Sequence, residues 1–400
     1  MVPLSLTVAG LAHAEAPPLE ASDPNDSGAS TPANDKHSEC AAPQRRLVFG
    51  ADFAPYVGTS SVESGRTAVR TLSLNLVGGY SGGLRGFEVG SVLNLEAGCV
   101  EGAQIAGVLN ASEGSMRGFQ VSGAVNLTRG SVRGVQVAGA ANVTGPVSAA
   151  LQVSGAANVV DGDVRGVQIA GATNVTTGWV RGLQLAGAAN IATTSMSGAQ
   201  IAGGMNFGAA DFSGLQLAPV NFSSGQVSGA QIGVVNVAEK SDFSLGVVSV
   251  NTRGRTQVEG WTAVESGFFA AALKHGGKHW YGLYGLGTRA ADPELNLVLG
   301  FGMDTPLSDR FYLGGDVVGY WEPRFKESSE HASLIQTRAY VGFRVLKPLS
   351  VYAGGSYNVF LASRHADNWA PDYAQRANTS GEPHVRYWPG AVVGLRLLSE

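Results

Sequence analysis

Between residues 86 and 251 polar and apolar positions recur on a fixed step. Asparagine stands at Asn94, Asn110, Asn126, Asn142, Asn158, Asn174, Asn190 and Asn206, sixteen residues apart. It continues at Asn221, Asn236 and Asn251, fifteen apart. Glutamine precedes it at Gln104, Gln120, Gln136, Gln152, Gln168, Gln184, Gln200, Gln216 and Gln231, with Glu88 in the first slot. A short fixed period marks a stacked repeat. In the unit 132–144, Val135, Val137, Ala141 and Val143 alternate with Gln136, Ala138, Ala140 and Asn142. That is the period of a strand. Gly134, Gly139 and Gly145 offer bends and corners.

Two arrangements fit such units: one coil each of a β-solenoid, or one strand each of an antiparallel meander. Three features favour the solenoid. Connectors such as "TRGSVR" and "VDGDVR" are alike in every unit, whereas a membrane barrel alternates short and long ones. The last units lose one residue between Gln and Asn, as in "QLAPVN" at 216–221. In a straight strand that loss turns every later side chain to the other face; at a corner it only tightens the turn. Pro219 falls in the same segment, and proline suits a corner better than a central strand. In a parallel stack the Gln and Asn columns form amide ladders, each amide donating to the next coil, and the ladder offsets the cost of burying them.

The pattern changes over 256–400. Strict alternation runs for ten residues or more: Leu295, Leu297, Leu299, Phe301 and Met303 against Asn296, Val298, Gly300 and Gly302, for example. Strands are expected near 256–263, 266–275, 279–288, 295–304, 310–321, 335–346, 348–361 and 389–398. Short connections at 275–278, 306–309 and 346–349 alternate with long ones at 288–294, 322–334 and 362–388, as in bacterial outer-membrane barrels. Arg344, Arg396 and Asp316 fall on the face opposite the apolar one. Trp280, Tyr281, Trp321, Tyr387 and Trp388 lie near strand ends, where interfacial aromatics gather. A soluble sandwich or lipocalin-like barrel explains the alternation but not the loop asymmetry. Segments 45–58 and 68–80 read as two further strands that complete the barrel or cap the solenoid.

The fold class expected is therefore all-β: a sixteen-residue-repeat β-solenoid joined to a C-terminal antiparallel, up-and-down β-barrel of about 8–10 strands. The organisation reads as a signal-peptide remnant at 1–14, a disordered linker at 15–45, N-terminal strands at 46–85, the repeat array at 86–251 and the barrel at 256–400. Ala12-His13-Ala14 fits a small-x-small cleavage site, although a basic n-region is missing; a buried N-terminal strand is the alternative.

Composition narrows function by exclusion. Glycine is 56 of 400 residues, charged residues are 14%, and the net charge of −4 offers no basic footprint for nucleic acid. Any membrane crossing has to use strands, since no apolar run reaches the length of a spanning helix. Cys40 and Cys99, the two cysteines of the chain, either pair in an oxidising compartment or remain free thiols.

Candidate chemistry is sparse along the chain. His275 and His279 flank a turn without further ligands for a metal. Ser363, His365, Asp367 and Asp372 share the long loop 362–388, but spacing alone makes no triad. Asp161, Asp163 and Asp211 are scattered and do not form the paired carboxylates of a sugar-cleaving β-helix. No catalytic, cofactor-binding or metal site is assigned, and no cofactor is expected. The broken Arg column (Arg85, Arg117, Arg133, Arg165, Arg181) reads as solvated, or as a weak basic stripe for anionic glycans or headgroups.

The unit G-x-Q-φ-A-G-x-x-N, with the shortened "GAQIGVVNVAE" at 229–239, resembles the repeats of a bacterial surface-repeat protein family first described in Leptospira. That resemblance implies a cell-envelope or surface location. The expectation is a non-enzymatic outer-membrane or cell-surface protein of a Gram-negative bacterium, anchored by its barrel in outer-membrane lipid. Its solenoid would be a structural or adhesin-like element, with a surface glycan or protein as ligand. The alternatives are a small barrel enzyme acting on envelope lipids through its long loops, and a soluble secreted adhesin.

Overall fold

The computed structural model describes residues 45–277, 279–291, 293–321, 332–363, 369–377 and 384–398. The signal-peptide and linker segments lie outside these, apart from Arg45.

Each repeat forms one coil of two strands. A long strand such as Val132–Ala138 carries the Gln, and a short one such as Ala141–Thr144 carries the Asn. Long strands stack in parallel into one sheet and short strands into a second. The result is a parallel solenoid of about 11 turns, roughly 50 Å long at one strand spacing per turn. Register is one to one: Gln136 lies between Gln120 and Gln152, and Asn142 between Asn126 and Asn158. The long strand bends at Gly134, whose φ is 130°. A Cβ there would strike the carbonyl of Gly118 in the preceding coil. Pro219 occupies the shortened corner between Phe212–Leu217 and Val220–Ser223. The strands Arg46–Ala54 and Val69–Asn75 join the long sheet and close the N-terminal end of the stack.

The amide columns face inward beside an inner apolar column of Val132 and its equivalents, and the outward columns are apolar. Gln136, Ala138, Asn142 and Thr144 are buried with Val132, while Val137 and Val143 are exposed. The same holds along the array. Outward columns beginning at Phe87, Val89, Leu93 and Leu95 contain no Asp, Glu, Lys or Arg through the last coil. The Gly-Ala or Gly-Val corners, such as Gly139-Ala140, are uncharged as well. Surface charge lies at and beside the opposite corner: the Glu113–Arg129 and Arg253–Glu239 ion pairs, Asp161, Asp163 and Lys240, and, at the start of the long strands, Arg85, Glu101, Arg117, Arg133, Arg165 and Arg181.

The C-terminal region is a closed eight-stranded antiparallel barrel. Its strands are Arg255–Ala263, Phe268–Gly276, Trp280–Arg289, Asn296–Pro306, Phe311–Trp321, Ala332–Leu346, Leu349–Ala362 and His384–Leu398. Each pairs with the next, and the first pairs with the last. The short connections that follow Gly276, Pro306 and Leu346 mark one end. The chain enters and leaves the barrel at that same end, and the longer loops lie at the other. Trp280, Trp321 and Tyr387 point outward, but Tyr281 and Trp388 are buried in the bore. The sequence placed these two in an interfacial girdle; their position on the inward parity of their strands decides otherwise.

The last coil abuts the barrel's outer wall. The backbone N–H groups of Ser249 and Asn251, on the terminal short strand Val248–Asn251, donate to Tyr284 Oη (2.9 Å) and His275 Nε2 (2.8 Å). Phe243 packs edge-on against Trp280, which stacks on Phe301.

Candidate functional site

The amide columns are continuous. From Gln120 to Gln231 each Gln Nε2 donates to the Oε1 of the preceding coil at 2.7–3.0 Å. The Asn column runs the other way. From Asn75 to Asn221 each Nδ2 donates to the Oδ1 of the following rung at 2.8–3.0 Å. Most Asn amides spend their second N–H on a backbone carbonyl of the next coil, as Asn110 does on Val121 O at 2.8 Å. Asn donation thus runs forward as expected, whereas Gln donation runs backward. The Gln side chain reaches the coil behind it, where Thr128 and Thr144 also accept from Gln136 and Gln152.

The N-terminal rungs carry acids. Glu88 ends the Gln ladder as a pure acceptor, taking hydrogen bonds from Gln104 Nε2 (2.7 Å) and Asn75 Nδ2 (2.8 Å). Glu96, in the column otherwise held by Ser112 and Thr128, accepts from Ser81 and shares a hydrogen bond with Glu88. Burial, and then the Glu88 carboxylate beside it, push Glu96 well above the usual carboxylate range. As a neutral acid it donates where an amide or hydroxyl would. Below it Arg70 pairs with Asp52 at 2.8 Å, both side chains fully buried.

The bore of the barrel is filled. Three cations (Lys274, Arg338, Arg396) face three carboxylates (Glu259, Asp304, Asp316), all buried. Arg338 grips Asp316 with two nitrogens and lies 4.3 Å from the centre of the Trp261 ring. Arg396 bridges Glu259 and Asp304 at 3.0 Å each. Tyr281, Tyr340 and Tyr352 bond the same carboxylates. Towards the long-loop end, Phe268, Tyr320, Phe360, Trp369 and Trp388 form an aromatic layer. Ion pairing and hydrogen bonding of this kind are what allow charges to be buried at all.

Other candidates do not converge. His275 accepts from Asn251 N through Nε2, which leaves Nδ1–H to donate to Thr256 Oγ1 at 2.8 Å. That assigns it to the solenoid joint. The backbone carbonyl of His279 accepts from Asp304 N. His365 and Asp367 lie outside the described residues, while Ser363 and Asp372 fall in separate described stretches on either side. Asp161, Asp163 and Asp211 support the coil edge: Asp163 accepts from Trp179 N and Asp211 from Gln226 N. Among the described residues no group of three His, Cys, Asp or Glu is placed to hold a metal. Cys99 is disulfide-bonded; Cys40 lies outside the described residues. In the Arg column, Arg85 pairs with Glu101, and Arg165 and Arg181 flank the Trp179 ring at 5.7 and 5.6 Å.

What remains distinctive is the outer surface. Every outward position of the eight barrel strands lacks Asp, Glu, Lys and Arg. An apolar groove of about 1100 Å³ crosses it, with Gly260, Ala271 and Ala353 between ridges of Phe269, Leu286 and Leu395. No family model, curated protein or solved structure matches the chain. Function is therefore read from this surface and from the bore behind it.

Proposed function

We propose that the chain is a non-enzymatic outer-membrane protein whose barrel anchors it in lipid and whose solenoid is a rigid structural arm. One observation carries this reading: the barrel is charged inside and uncharged outside. A soluble barrel has little reason to bury six ionisable side chains while exposing Phe269, Leu286, Leu297, Val341 and Leu395. In a bilayer the same arrangement keeps charge off the lipid, where an Arg at mid-depth costs about 2–4 kcal/mol. Short turns at one end and longer loops at the other match bacterial outer-membrane barrels, in which the short turns face the periplasm. The solenoid leaves from the short-turn end, so the arm belongs to the periplasmic side rather than to the adhesin position. Resemblance of the repeats to a bacterial surface-repeat family also supports an envelope location.

The test is extraction and gel migration of the full chain. Expected are a requirement for detergent and a folded band that migrates differently from the boiled one. A chain that stays monomeric and soluble without detergent refutes the anchor. Reconstituted in a planar bilayer, the filled bore is expected to give no steady conductance.

A further inference from the structure

We infer that the solenoid itself lies in the membrane, as a wedge set into the leaflet on the short-turn side of the barrel. The inference rests on the barrel being lipid-embedded.

Direction comes first. In a parallel stack the unpaired N–H groups of the last strand point along the stack axis. Those of Ser249 and Asn251 end on Tyr284 and His275, both outward side chains of the barrel wall. The solenoid axis therefore meets that wall end-on and runs away from it sideways. With the barrel upright in a bilayer, the arm extends roughly parallel to the membrane plane.

Depth follows from the same contacts. Gly277 and His275, at the short turn, meet Ser241 and Asn251 beside the charged corner of the coil. Tyr284 lies further along its strand, beside Leu273, and meets Ser249. At roughly 2.6 Å of vertical rise per residue on a tilted strand, the joint spans about 10 Å from Trp280 to Tyr284, within a leaflet's ~15 Å of hydrocarbon. The order along the coil sets the roll. The charged corner (Glu239, Lys240, Asp242) sits towards the turn and water, and the uncharged Gly246-Val247 corner points towards the bilayer centre.

Chemistry agrees with the placement. Beyond the first residues of each long strand, the outward positions of both faces and the inner corner carry no Asp, Glu, Lys or Arg; Arg85, Glu101, Arg117, Arg133, Arg165 and Arg181 stand at the start of the long strands, next to the charged corner. Contiguous apolar surface beyond a few hundred Å² is rarely left in water. Lipid accepts backbone only where its hydrogen bonds are made internally, and the parallel sheets and amide ladders make them. The occupant of this surface is thus acyl chain, with charged connectors at the headgroups, as for other interfacial elements.

Nitroxide accessibility in vesicles of phosphatidylethanolamine and phosphatidylglycerol tests this on the full chain. Single variants Leu185→Cys, Ala188→Cys, Arg181→Cys and Leu297→Cys are labelled without reductant, since Cys99 is in a disulfide. Relative collision with oxygen against a water-soluble nickel chelate is then measured. Labels at 185 and 188 are expected to shift to the lipid-like ratio of 297, and 181 to remain water-like. Water-like values at 185 and 188 with 297 still lipid-like overturn the inference and leave the anchor standing. Shielding of 185 and 188 from both reagents overturns it in favour of a protein partner or second copy. A water-like 297 overturns the anchor and the inference with it.

Discussion

Replacing Asn174 in mid-array isolates the ladder. Its side chain is fully buried. Nδ2 donates to Asn190 Oδ1 and to Leu185 O, each at 2.9 Å, and Oδ1 accepts from Asn158 Nδ2 at 2.9 Å. Asn174→Ala removes these three bonds and the longer one from Nδ2 to Gln168 O at 3.4 Å. Asn158 keeps its bond to Ile169 O but loses an acceptor for its other N–H, and Asn190 Oδ1 loses its donor. Two orphaned buried groups at about 1–3 kcal/mol each give a destabilisation of roughly 2–6 kcal/mol. Asn174→Asp separates polarity from packing. The added oxygen would face Asn190 Oδ1 and Leu185 O, both acceptors, and a buried charge would be added. Its carboxyl should be pushed up, so the variant should be worse than Ala at pH 8 and partly rescued in acid, where the acid can donate. Hydrogen exchange of the full chain, followed by mass spectrometry, reads the loss as faster exchange in peptides spanning 158–192, about 10²–10⁴-fold for that energy. Val175→Ala, one residue on and facing outward, should change little. A change below about 0.5 kcal/mol for Asn174→Ala, the size of an ordinary surface substitution, or an Asp no worse than Ala at pH 8, would falsify the ladder as a source of stability.

Three further outcomes follow from the same geometry. Glu96 is held protonated in the folded chain but ionises when unfolded, so the native state binds the extra proton. Stability is complete below the unfolded value and falls as pH rises, by about 1.4 kcal/mol per unit, until the folded group itself ionises; Glu96→Gln should flatten this slope in denaturant titrations and raise stability at neutral pH. Gly166→Ala places a Cβ on the carbonyl of Ala150 at a φ of 144°; exchange protection should fall in the coils on either side, whereas an unchanged profile would show the bend to be dispensable. Arg396→Leu leaves three buried carboxylates facing two cations, with Asp304 keeping Lys274 and Glu259 keeping Tyr352; at about 3–5 kcal/mol for one uncompensated buried charge, the folded band should be lost at a lower temperature, and an unshifted transition would mean that the bore relaxes or hydrates.

The period and the strand positions were readable because both are local. A sixteen-residue step leaves one register for a parallel stack, and the barrel strands begin within a few residues of where alternation places them. Which face is inside was not local. Alternation alone sets Val135 and Val143 opposite Gln136 and Asn142 without saying which set is buried; hydrogen bonding along a ladder is what places the amides inside, and the valines lie outside. Periodicity cannot state that preference, because reversing every side chain preserves the alternation. The Arg column shows a smaller limit. Equal spacing assigns Ala149 to it, yet Ser148 stands beside Arg165 and Ala149 is an extra residue at φ 59°. The joint at Tyr284 and His275, and the Glu88–Glu96 pair, depend on contacts between distant coils and strands. Only the replacement of Gln by Glu at the first rung hinted at the second of these.

Opposite donation in the two columns has a consequence for length. Two aligned rows of amides running the same way would build an electric dipole that grows with every coil, as peptide dipoles do in a helix. Here one row offsets the other, coil by coil. Insertion or removal of whole units leaves the terminal rungs, Glu88 at one end and Ser249 at the other, in the same electrostatic setting. The reach of the arm can therefore be changed by duplication alone, without redesign of its root.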